Sequence, residues 1–177
     1  RLFELAVSRM DAFRRGRLRA SEVFDADKIA RRHALLDLVG GHHSMDWSDV
    51  KFYFDPVTER IEPLSYESFS AFPIRTLAGA DRFVGQQLPG MDLHDAYFND
   101  TVIFKAYVHH LERMSRASYL DSAFTALSDA LDSASALIYR EFPYKELDRS
   151  IYSKNQFIIR KIFDVTKGFH AYLDGGR

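Results

Sequence analysis

Between Gly40 and Ser68 the chain reads GGHHSMDWSDVKFYFDPVTERIEPLSYES, and this stretch limits what the chain can fold into. Gly40-Gly41 stops a helix, because glycine takes the left-handed conformation that helix ends often need. A polar loop with His42, His43, Asp46 and Asp49 follows. Val50–Phe54 is aromatic and β-branched, as strands prefer. Asp55-Pro56 starts a turn, Thr58-Glu59 completes it, and Arg60–Leu64 returns. Pro63 has no amide to donate, so the returning run is an edge strand or ends there. Almost every other segment has helical spacing. The prediction is a mainly α chain with one small β-hairpin, an α+β fold, whose chemistry would gather at the hairpin mouth within residues 40–68.

Around this hairpin the helices can be read in order. Leu2, Leu5, Ala6, Met10 and Phe13 keep helical spacing until Gly16. Ser21–Val23 reads as a connector. Asp25 is placed to cap a helix running to about Val39, its carboxylate accepting from amides of the first turn. Phe24 and Ile29 could staple that start. From Ser65 to Gly90 periodicity fails, and Pro73, Gly79, Gly85, Pro89 and Gly90 mark a long loop with one short helix near Asp81. Three helices should follow: from Asn99 or Asp100 through Met114, from Ser118–Asp121 to Glu141, and from Lys145 to Val165. Leu36, Leu111, Leu127 and Ile158 are the expected core positions. His33 and the pair His109-His110 read as surface or core-edge residues, and Trp47 as an anchor of the loop.

The 177 residues suit one domain. The chain opens at Arg1 inside an apolar periodic pattern, which reads as an excerpt of a longer protein. A net charge of −1 with no long basic run gives nucleic-acid binding little support. The cluster Arg14, Arg15, Arg17 and Arg19 reads as the solvated end of the first helix. With no cysteine there is no disulfide framework and no thiolate metal site. No apolar run approaches the ~20 residues of a membrane helix.

Phe24-Asp25 opening a helix, Ala30, the Gly40-Gly41 end, Phe52-Tyr53-Phe54-Asp55-Pro56 and Glu62-Pro63-Leu64 together resemble the spore coat protein H (CotH) kinase-like family. The resemblance covers about a quarter of the chain. In that family a loop with a catalytic aspartate and an asparagine precedes a hairpin of the form "LYxDP…IPWDxD", whose acidic end holds metal. It implies the C-lobe of an atypical protein kinase fold, ATP with Mg or Mn, phosphorylation of a protein substrate, and a bacterial envelope or secreted setting. Where the family has its asparagine this chain has Asp49, and where it has "WDxD" this chain has Ser65-Tyr66-Glu67-Ser68. Where it has the catalytic aspartate this chain has His43-Ser44, with Asp46 close by. No glycine-rich phosphate loop or strand lysine precedes the first helix.

Phosphoryl transfer needs a metal clamp on the phosphates and a group that orients the attacking hydroxyl. Mg²⁺ is often held by one or two carboxylates plus phosphates. Asp49 and Glu67 flank the outer ends of one hairpin, where antiparallel pairing brings facing residues to about 5 Å. They are the candidate metal and cofactor ligands, and His43 and Asp46 the candidate catalytic residues. The plain alternative is that both carboxylates are solvated hairpin ends. A zinc site would want three or four ligands with clear spacing, and none shows. Two other readings stand beside the kinase: a non-catalytic, pseudokinase-like structural or interaction module, and a helical scaffold whose back half binds a partner. A large exposed apolar patch on the back helices would favour the scaffold.

Overall fold

Three helices carry the core, and the hairpin lies along one of them. A computed structural model describes residues 1–45, 50–68, 73–79 and 93–163. In chain order the described elements are α1 (Leu2–Arg14), α2 (Ala20–Val23), α3 (Ala26–Val39), a 3-10 turn (His42–Met45), β1 (Lys51–Asp55), β2 (Arg60–Leu64), α4 (Leu93–Phe98), α5 (Thr101–Ser115), α6 (Tyr119–Ala126), α7 (Ser128–Glu141) and α8 (Ser150–Ile162). The result is a mostly helical α+β fold with a two-stranded antiparallel sheet.

The helix ends are set by local chemistry. Asp25 caps α3 as expected, its Oδ1 accepting from the Lys28 amide at 3.0 Å. Gly40 ends α3 with φ 71°, a left-handed conformation that costs glycine little. Asp100 joins two starts: its carboxylate accepts from the Val102 amide of α5 at 2.9 Å and from the Ser21 amide of α2 at 2.7 Å. Ser21–Val23, read as a connector, therefore lies in a helical turn that borrows its cap from a distant residue.

α3, α5 and α8 pack on one another, and the hairpin leans on α3 and α2. Apolar burial drives this packing. Ile29, Ala30 and Ala34 of α3, Ile103, Tyr107 and Leu111 of α5 and Ile159 of α8 are fully buried. Phe13, Phe24 and Tyr97 extend the core under α1; Phe13 stacks on Tyr97 at 5.7 Å and meets the edge of Phe24 at 5.0 Å. In the hairpin, Lys51 faces Leu64, Tyr53 faces Glu62 and Asp55 faces Arg60. The Asp25 amide donates to the Ile61 carbonyl at 3.2 Å, tying β2 to the start of α3.

Several expectations change. The helix read over 118–141 is two helices broken at Leu127, and Leu127 is 53% exposed rather than buried. The break leaves α7 pointing away from the core: it has no buried residue, and it packs chiefly on α6. Leu36 and Leu111 are buried as expected, while Ile158 is half-buried beside the fully buried Ile159. α8 starts at Ser150, later than Lys145, and is described to Ile162. His33 is fully buried, its Nδ1 2.8 Å from the Ile29 carbonyl; His110 is buried against Asp27, and His109 is exposed. The short helix expected near Asp81 lies outside the described residues.

Candidate functional site

The loop after α3 is held on the hairpin exit by close backbone packing. A Cβ on Gly41 would meet Leu36 Cδ2 at 2.8 Å and the Ser68 carbonyl at 3.2 Å, so a larger residue here would have to push Leu36 and the hairpin exit aside. Ser44, fully buried, donates its hydroxyl to the Gly41 carbonyl at 3.0 Å. Arg32 of α3 reaches the Ser44 carbonyl at 2.9 Å and its hydroxyl at 3.1 Å. The 3-10 turn is thereby fixed from both sides.

That turn presents His43 to the hairpin. His43 Nε2 stands 2.9 Å from Glu67 Oε2, and both side chains remain partly open to solvent. Glu67 has φ 49°, a left-handed conformation that a non-glycine residue adopts at a cost and keeps when its surroundings hold it there. Lys51 lies 5.1 Å from the centre of the Tyr66 ring and packs the same exit. Two of the sequence-predicted site residues, His43 and Glu67, are thus brought together. Asp46 and Asp49, with Trp47, lie outside the described residues.

Beneath the turn sits a polar centre that the sequence reading missed. Asp37 of α3 is fully buried and accepts from the Tyr107 hydroxyl of α5, from the Ala78 amide at 2.8 Å and from His42 Nε2 at 2.7 Å. Burial pushes its carboxyl above the ordinary carboxylate range, against the opposing hydrogen bonds from His42 and Tyr107. Burial, and then the Asp37 charge, push the Tyr107 phenol well above its usual value. A fully buried Asn155 adds a second tie: it accepts from the Ile74 amide at 2.9 Å and donates to the Leu38 carbonyl at 3.1 Å. Segment 73–79 is thereby fastened to α3, α5 and α8. Ile29, His33 and Asp37 recur at four-residue spacing, so Asp37 lies on the buried stripe of α3; that periodicity was the signal available.

Among the described residues no group of three or more His, Cys, Asp or Glu side chains is arranged to hold a metal ion. No helix there is long and apolar enough to cross a membrane. Comparison with family models, curated proteins and solved structures finds no match for the chain.

Proposed function

We propose that the chain forms the back lobe of a CotH-like kinase domain, with the hairpin mouth at His43 and Glu67 as its metal- and phosphate-facing site. The observation that supports this best is Glu67, a carboxylate at the hairpin mouth held in a left-handed backbone conformation and facing the loop imidazole of His43 at 2.9 Å. Backbone outliers of this kind cluster at functional sites. Glu67 engages His43 through Oε2, and a carboxylate has a second oxygen for a cation. Mg²⁺ or Mn²⁺ with ATP needs one or two carboxylates besides the phosphates, a part given in this reading to Glu67 and Asp49. Bound there, the ion would neutralise charge developing on the transferred phosphoryl group. His43, or Asp46, would orient the acceptor hydroxyl of a protein substrate.

A second reading is a helical scaffold whose back half binds a partner, and α7 favours it. Leu127, Leu137, Ile138, Tyr139 and Phe142, on and beside that helix, are all exposed, an apolar surface of the sort that marks partner binding. Calorimetric titration of the complete protein with Mg²⁺ or Mn²⁺ and ATP separates the two. The kinase reading expects binding that weakens in Asp49→Ala and Glu67→Ala. Absence of binding by the parent, or equal binding by all three proteins, would put the scaffold ahead.

A further inference from the structure

Arg32 is only 8% exposed, yet both groups it donates to, the carbonyl and hydroxyl of Ser44, are neutral. Its Nε is buried with no acceptor, and among the described residues the guanidinium forms no ion pair. Buried charges in proteins are as a rule paired, because desolvation without a counter-charge is costly. Burial accordingly lowers the Arg32 pKa from its ordinary value.

This arginine lines an open groove of about 370 Å³ between α3 and the hairpin exit. Arg31, Lys28, Leu36, Ser65 and Ser68 line it too. Lys28 is already balanced by Glu62 at 2.6 Å and by Asp25 at 3.7 Å. Among the described residues Arg31 forms no hydrogen bond or ion pair. Among the described residues, two guanidinium charges therefore share one groove without a carboxylate between them, beside the Ser65 hydroxyl and a Ser68 hydroxyl that donates to the Tyr66 carbonyl at 3.3 Å.

We propose that this groove binds a phosphomonoester, gripped by Arg31 and Arg32. Two uncompensated cations match a group carrying about −1.5 to −2 at pH 7, where a single carboxylate would balance only one of them. The planar guanidinium also matches phosphate oxygens in pairs. Arg32 is fixed by its Ser44 bonds before any ligand arrives, which lowers the ordering cost of binding. This site is independent of the metal reading at Glu67 and uses neither His43 nor a metal ion.

The test is titration of the complete protein, without metal, with three probes: inorganic phosphate, a phosphoserine peptide and the same peptide unphosphorylated. The expected result is binding of inorganic phosphate that weakens by about tenfold or more in Arg31→Glu. Arg31 is exposed, so this change spares the fold. Arg32→Gln should lose binding as well, and His43→Ala should keep it. Equal affinity for phosphate and phosphopeptide would point to a small phosphomonoester. Tighter binding of the phosphopeptide, with none of the unphosphorylated one, would point to a phosphorylated chain. No binding of either phosphorylated probe by the parent, unchanged binding in Arg31→Glu, or loss of binding in His43→Ala would overturn the proposal.

Discussion

Removing the Asp37 carboxylate should destabilise the fold and release the turn that carries His43. Asp37→Ala takes one acceptor from three donors: the Tyr107 hydroxyl, the Ala78 amide and His42 Nε2. His42 is partly exposed and can turn to water, so its loss costs little. The phenol and the amide lie inside, and an unpaired buried donor costs about 1–3 kcal/mol. The sum is about 2–6 kcal/mol, reduced because the parent bears the cost of burying a carboxylate. A net loss of about 1–4 kcal/mol follows. Asp37→Asn keeps the shape and one acceptor oxygen, and should cost about 1 kcal/mol. Urea unfolding followed by far-ultraviolet circular dichroism reads both values. The pH dependence gives a second check. The folded carboxyl lies above its unfolded value, so its contribution is full below the unfolded value and is lost as pH rises through the folded one. In a His42→Gln background, which removes the neighbouring imidazole, the Asp37 protein should gain stability relative to Asp37→Asn on acidification. An Asp37→Ala protein within about 0.5 kcal/mol of the parent would refute the reasoning, since that is the range of ordinary surface changes.

Asp100 should behave in the opposite sense. Burial alone would raise its carboxyl, but the Ser21 and Val102 hydrogen bonds outweigh it and the net shift is downward. Its contribution is present above the unfolded value and lost as pH falls through the folded one, and Asp100→Ala, which uncaps two helices, should cost about 1–2 kcal/mol in urea unfolding at pH 7. Leu111→Ala should cost about 2–5 kcal/mol as a core deletion, whereas Leu127→Ala, at an exposed helix break, should stay within about 0.5 kcal/mol; the same denaturation series measures both.

The parts of this fold that were legible in the sequence are those governed by local chemistry. The Asp25 cap, the left-handed Gly40 and the Asp55-Pro56 turn are each decided within a few residues, and the structure has all three. The break at Leu127 was not legible, because Ser118–Glu141 keeps one continuous apolar period and no glycine or proline marks the point where the structure divides it into two helices. The helical turn at Ala20–Val23 depends on Asp100, a partner 79 residues away from Ser21. In the site, hairpin geometry led to an expected approach of Asp49 and Glu67; the structure sets His43 against Glu67 instead, a pairing the sequence did not indicate, and Asp49 lies outside the described residues. The centre beneath it was not legible either. Asp37 and Asn155 find their partners across four separate segments, and Arg32 shows its lack of a counter-charge only once its neighbours are known. A single sequence displays such residues as ordinary polar positions on helices.

The most direct measurement places the ion itself. A Mn²⁺ ion relaxes nearby protons, so the imidazole proton resonances of His43 in the complete protein report whether the metal comes to the hairpin mouth. If Glu67 holds the metal beside His43, Mn²⁺ with ATP should broaden the His43 resonances strongly. The broadening should fall away in Glu67→Ala, and the buried His33 should be affected less than His43. His43 resonances that stay sharp in the presence of Mn²⁺ and ATP, or that broaden equally in Glu67→Ala, would contradict the assignment of the metal and phosphate site to this mouth.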